Sequence, residues 1–266
     1  MRHVGTIAWR ELRSLFISPV AYVVLTLWSL IAGTFFLASL IGFLERRMQY
    51  QQFQMLQQIQ AMNLNDDLIE PFIGSMWVIL LFLLPAVTMG LVASEKANGT
   101  EELLLTSPIS IGEIVAGKFL AGAGFVSVMT GIVAFFPAIL FVYGDPELGR
   151  TLSGLLALLL VSFTYVAVGV FASSVTRNQL IAFVLTFVML LIIGMMLPFL
   201  VEITMAGGGL GRDSAIAGIV RWMATGSHVE HMLQGLIDTA DLAYFVVASG
   251  IFLLLSKTVI ESARWR

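Results

Sequence analysis

Three stretches of this chain combine residue types that could do chemistry, and each points to a different kind. Gly112-Glu-Ile-Val-Ala-Gly117-Lys118 has the G-x-x-x-x-G-K spacing of a phosphate-cradling loop. That chemistry also needs a strand leading into the glycines and a Ser or Thr after the Lys to hold magnesium. Phe119 stands there instead, and Ser110 with Glu113 three residues on forms a capping box that starts a helix. The chain is therefore expected not to bind nucleotide, and Lys118 to anchor a helix at a membrane interface. His228 and His231, with Glu230 and Asp238 nearby, have a spacing that can ligate a metal. The same stretch carries Val229, Met232, Leu233, Leu236 and Ile237 at i, i+3, i+4, i+7 and i+8, the stripe of an amphipathic helix. The histidines then fall on its solvated polar face, and no metal site is expected. The third stretch, Ser94 to Lys118, sets Glu95, Glu101 and Glu102 beside Leu103, Leu104 and Leu105, a combination suited to docking rather than catalysis. The absence of cysteine excludes disulfides, thiol catalysis and thiolate metal sites. The thirteen methionines are scattered and read as packing filler, so no cofactor is expected.

The elements that position these stretches are set by where charges are missing. Ser14 to Leu44, Pro71 to Ser94, Phe119 to Gly144, Thr151 to Thr176 and Asn178 to Val201 are charge-free apolar runs of 24 to 31 residues. A bilayer core of about 30 Å takes about 20 helical residues, so each run can cross it. Unpaired backbone groups are too costly in lipid for anything but helices or closed barrels, and these runs lack the alternation of barrel strands. A sixth run, Leu242 to Ser256, has 15 residues. It reaches about Ile260 if Asp241 sits at one interface and Lys257 snorkels at the other. The expected fold is an all-α membrane protein with spans at about 20–44, 72–94, 119–143, 152–175, 179–201 and 242–260, forming one transmembrane domain over 1–266. A composition of 58% hydrophobic and 12% charged residues agrees, since soluble chains average about 25% charged. The polar stretches 45–70 and 202–241 are too short for a separate soluble domain. The first run is too long for a signal-peptide core and no small-residue cleavage site follows it, so it is expected to stay in the mature chain. A net charge of −3 gives no footing for a nucleic-acid partner.

Orientation follows from lysine and arginine. With six spans, both termini share a side with loops 94–118 and 176–178, and that side holds nine of the fourteen Lys and Arg. The positive-inside rule then places the termini in the cytoplasm and the chain in the cytoplasmic membrane. Arg46 and Arg47, just beyond the first span on the other side, run against this assignment.

The connecting segments carry their own patterns. Trp9, Leu12 and Phe16 share a helical face with Ala8 and Leu15, opposite Arg10, Glu11, Arg13 and Ser14. This predicts an interfacial helix turned into the membrane at Ser18-Pro19, either a working part or a plain anchor. Residues 45–70, with Met48, Met55, Ile59 and Met62 on one face, predict an outer amphipathic helix. The run Ala206-Gly-Gly-Gly-Leu-Gly211 predicts a flexible link on the same side. In the third stretch, Asn98 with Glu101 three residues on predicts a helix start. Pro108 ends that helix near Ser107, leaving two helical turns between the second and third spans. An exposed Leu103-Leu104-Leu105 run on such a helix marks a partner site.

The motif E-K-x-x-G-T-x-E-x-L-L-T-S-P-I over residues 95–109 closely resembles the second-to-third-span loop of the type-2 ABC exporter permeases. In that family this short helix is the coupling helix, which inserts into a cleft of a separate ATPase subunit. The layout is similar over nearly the whole chain: interfacial helix, six spans, and short outer helices before the last. Ser18-Pro19-Val-Ala-Tyr22 and Gly235-Leu-Ile-Asp-Thr-Ala-Asp-Leu-Ala-Tyr244 look most like the subgroup of gliding-motility exporters. The resemblance implies ATPase-coupling residues at Glu95, Gly99, Thr100, Glu101, Glu102, Leu104, Ser107 and Pro108. Glu101 and Glu102 would meet basic residues of the ATPase, Leu104 would fill an apolar slot, and Gly99 and Pro108 would fix the helix ends. An ordinary capped loop helix is the alternative for these residues.

The partners implied are two ATPase subunits, a second permease chain in a homodimer or heterodimer, and an envelope accessory protein. Two functions stay open on this reading. One is a non-catalytic permease subunit that couples ATP hydrolysis to export; the other is a membrane scaffold of an ATP-driven envelope or gliding machine that transports nothing itself. No span carries a charge near its middle, which speaks against ion-coupled transport and fits a bulky lipid-like or polymeric substrate.

Overall fold

The computed structural model describes residues 3–100, 109–200, 218 and 222–263. Every regular element among them is helical, and six helical stretches are long and apolar enough to cross a membrane. Helix α1 (Val4–Ile17) stops at Ser18, whose hydroxyl accepts from the Val20 N–H and caps α2 (Pro19–Gln52). Pro19 fits this first position because it has no N–H to leave unsatisfied. After α3 (Leu56–Ala61), a π-helical turn at Asn65–Ile69 leads into α4 (Glu70–Thr88), and α5 (Ala93–Ala97) follows. Next come α6 (Ile111–Tyr143), α7 (Leu148–Val175) and α8 (Gln179–Leu191), which continues through a π-helical turn to Leu200. Helices α9 (Thr225–Leu233) and α10 (Thr239–Ala263) complete the described chain. The spans alternate in direction, so α1, α5 and the start of α6 lie at one end, here the proximal end. The start of α7, α3 and α9 lie at the distal end.

Three expectations need correction. Residues 45–70 are not one amphipathic helix. Glu45 to Gln52 are good helix formers and extend α2 well beyond 44, until Gln54 takes a left-handed φ of 54° and separates it from α3. Met48 is consequently exposed, whereas Met62 packs on the core. The face of α1 that meets the bundle also differs from the expected one. Leu12 and Phe16 do pack inward, Phe16 with its ring centroid 5.5 Å from Phe125, but Trp9 is 69% exposed and Ile7 seats on Gly117. Glu11 belongs to the inner side, for a reason given below. Finally, α9 ends at Leu233 rather than continuing through Ile237. Gly235 has φ 86°, and the N–H groups of Gly235 and Leu236 bond back to the carbonyls of Met232 and His231, at 3.1 and 3.0 Å. This is a Schellman ending that glycine favours. It buries Val229, Met232 and Leu233 and leaves Leu236 and Ile237 exposed.

The core is built around α7. It packs against α4, α6, α8, α9 and α10, and 67% of its most apolar window is buried, against 22% for each of α2, α8 and α10. A helix buried on all sides needs residues that let neighbours approach. Thr164 through Val170 are all buried, and Gly169 lies so close to Thr88 of α4 that an added Cβ would overlap the Thr88 side chain. Both flanking helices are fixed by other contacts, such as the 2.9 Å bond from Trp77 Nε1 to the Tyr165 hydroxyl. Gly169→Val should therefore destabilise the bundle by about 3 kcal/mol or more, the upper end for overpacked cores. Thermal unfolding in detergent should show the loss, and adding Thr88→Ala should recover part of it.

Candidate functional site: the root of the loop between the second and third spans

The second span does not run smoothly into the loop. Pro85 lies inside α4, which ends at Thr88, and the chain turns through Met89–Val92 before α5 begins. The turn is satisfied from outside. Ser173, buried near the end of α7, accepts from the N–H groups of Val92 and Ala93 at 3.0 and 2.9 Å and donates to the Met89 carbonyl at 2.9 Å. One hydroxyl thus replaces the helical bonds that a broken helix would otherwise lose. Lys96 of α5 donates to the Ser174 carbonyl at 2.7 Å, a second tie to the same end of α7.

The other tie is ionic. Lys118 sits two turns into α6 and is only 1% exposed. Its ammonium lies 2.9 Å from Glu95 of α5 and 3.6 Å from Glu11 of α1, and it also donates to the Leu91 carbonyl. A buried lysine of this kind requires such partners, because a lone desolvated charge is too costly. Glu11 in turn accepts from Arg10 at 2.6 Å, and this bond pushes the Arg10 guanidinium above its ordinary pKa. Lys118 is therefore held by carboxylates rather than left free at its end of α6. It joins α1, the α4–α5 turn and α6 at one point.

Three of the eight expected coupling residues are among those described. Glu95, Gly99 and Thr100 are described; Glu101, Glu102, Leu104, Ser107 and Pro108 lie outside the described residues. Glu95 faces Lys118. Asn98 does not start a helix: its backbone is right-handed helical, whereas an N-cap residue is extended, and it closes α5. Gly99 follows with φ 71°, and Thr100 N–H bonds to the Glu95 carbonyl at 3.0 Å, another Schellman ending. Gly99 thus ends the helix before the leucine run. At the far side of the loop the Ser110–Glu113 capping box forms as expected and opens α6, with both backbone N–H groups held at 3.3 Å.

This geometry also bears on the two decoy motifs. Gly112 and Gly117 lie within α6, where their backbone N–H groups point along the helix rather than around a phosphate. Lys118 is already held by carboxylates. Isothermal titration of the purified chain with ATP and magnesium is accordingly expected to give no saturable binding at micromolar concentration. His228 is buried rather than on a solvated face. Its Nδ1 lies 2.6 Å from Asp241, its Nε2 lies 3.1 Å from the Trp222 carbonyl, and its ring stacks on Tyr244. Asp241, in the first turn of α10, is likewise buried at 3% exposure. The pair fastens α9 to α10, and among the described residues no group of three or more ligating side chains forms a metal site.

The profile of the family described as ABC-2 family transporter protein matches residues 5–261. The chain belongs to this family. Membership makes it a multi-pass membrane protein and a permease component of an ABC transporter, a transport part that works with an ATPase subunit. No match was found among curated proteins.

Proposed function

We propose that this ABC-2 permease couples ATP hydrolysis by two copies of a separate ATPase to export across the cytoplasmic membrane, with the short loop helix that ends near Ser107 as the coupling helix. The observation that carries this reading is the root of the loop. Force applied to the coupling segment reaches α7 through Ser173 and Ser174, and α6 and α1 through Lys118. Glu95, Gly99 and Thr100 position the segment, while Glu101, Glu102 and Leu104 meet the ATPase and Ser107 and Pro108 end the contact. The chain acts as one transmembrane domain over 1–266 and is non-catalytic. A second permease chain completes the transporter, and the apolar outer faces of α2, α8 and α10 leave room for it and for lipid. Helix α1 lies in the cytoplasmic headgroup layer with Trp9 turned outward, as aromatic residues favour at interfaces. The motifs at Ser18–Tyr22 and Gly235–Tyr244 support the gliding-motility exporter subgroup.

Cysteine labelling tests the topology cleanly, because the chain has no cysteine of its own. A cysteine at Ser107 should react with an impermeant maleimide only in inverted vesicles, and one at Gln57 only in intact cells. Labelling of both from one side contradicts the assignment. Transport itself is tested by reconstituting the permease with its ATPase: substrate-stimulated hydrolysis supports export, whereas an envelope or motility defect with no transported molecule supports the scaffold reading.

A further inference from the structure

At the distal end, α2, α3 and the last turn of α6 enclose a groove of about 430 Å³. That lies within the roughly 300–1,000 Å³ of small-molecule sites. Its walls are apolar, with Phe43 and Leu140 buried and Leu40 and Met62 beside them, and Arg47 and the largely exposed Tyr143 stand at its edge. The three described arginines at this end differ in one respect. Arg46 bonds to the Asp67 carboxylate at 3.3 Å and carbonyl at 2.9 Å, and Arg150 pairs with Asp66 and Glu70. Arg47 makes no hydrogen bond or ion pair with any described residue. An uncompensated guanidinium above an apolar groove matches the two halves of one kind of molecule.

We propose that this groove binds one anionic phospholipid, with an acyl chain along Leu40, Phe43, Met62 and Leu140 and the phosphate on Arg47. Guanidinium suits the role because its planar set of donors fits phosphate oxygens and sheds water readily. The source is the bilayer rather than exported cargo. The groove lies against the outward side of α2, where Ile41 and Leu44 are exposed, and next to the exposed Val142 of α6, rather than between the buried faces of the spans. The site also accounts for an arginine that opposes the charge rule for orientation: its charge is matched by lipid instead of by protein. The proposal does not depend on ATPase coupling, so either can fail alone.

The test uses the full chain in nanodiscs of phosphatidylcholine containing phosphatidylglycerol, with retained lipids counted by native mass spectrometry after release. The wild type should keep phosphatidylglycerol in preference to phosphatidylcholine. Arg47→Gln should lower that retention about five- to tenfold, the scale of one partly exposed charge-assisted contact. Arg46→Gln, which removes a guanidinium already held by Asp67, should leave the preference in place. Leu140→Trp, which fills the groove, should reduce retention of both lipids. Equal phosphatidylglycerol retention by wild type and Arg47→Gln overturns the proposal, as does an equal loss in Arg46→Gln. Spontaneous disulfide pairing of Tyr143→Cys chains in the membrane would assign the groove to a second copy and also overturn it.

Discussion

Replacing Leu104 by Asp should strip the partner ATPase from the membrane complex. Leu104 is the centre of the only three-leucine run in the loop between the second and third spans, and the proposed contact places it in an apolar slot. A carboxylate forced into such a slot without a partner costs about 3–5 kcal/mol. That corresponds to a weakening of about a hundred- to several-thousand-fold, enough to lose the ATPase during purification. Glu101→Ala serves as the comparison, since a rim charge or a charge near a helix start is worth about 1 kcal/mol or less. The ATPase recovered with a tagged permease should fall to background for Leu104→Asp and only partly for Glu101→Ala. Both variants should reach the membrane normally, because neither position lies in a span.

Lys118→Ala should do its damage differently, by loosening the connection rather than the docking. Removing the ammonium leaves Glu11 and Glu95 facing a nearly buried site with no cation between them. Breaking a fully buried ion pair costs about 3–5 kcal/mol; the loss here should be smaller, because the two carboxylates keep 15% and 21% exposure. A fall in the unfolding temperature is therefore expected, together with loss of coupling between hydrolysis and transport while the ATPase remains bound. The combination Lys118→Met, Glu11→Gln, Glu95→Gln separates the two effects. It removes the unpaired charges, so stability should largely return. It also leaves α5 untied from α6 and α1, so coupling should not return. If this triple variant recovers both, the Lys118 cluster only braces the fold.

The six spans were legible because lipid imposes a length and a charge rule that act locally, and both can be counted along the chain. The same holds for the Ser110–Glu113 box, whose two partners are three residues apart. What was not legible depended on distant partners. Lys118 read as an anchor because Glu11 and Glu95 lie elsewhere in the sequence, and nothing near it signals their approach. His228 read as solvated for the same reason, since Asp241 turns it inward from another helix. Two other differences have local causes. Gly99 and Gly235 each close the preceding helix with a positive φ, which removes Asn98 as a helix start and Leu236 and Ile237 from the apolar stripe. The role of Ser173 was hidden in an apolar span, where a serine more often bonds to its own helix.

The proposed coupling requires the loop at the proximal end, and not the distal end, to receive the ATPase. Because the chain has no cysteine, a single cysteine carrying a photoreactive maleimide can be placed at Leu104 or, at the opposite end, at Gln57. Irradiation of the assembled complex should join permease to ATPase from Leu104 and give no such adduct from Gln57. An adduct from Gln57 with none from Leu104 would contradict the account.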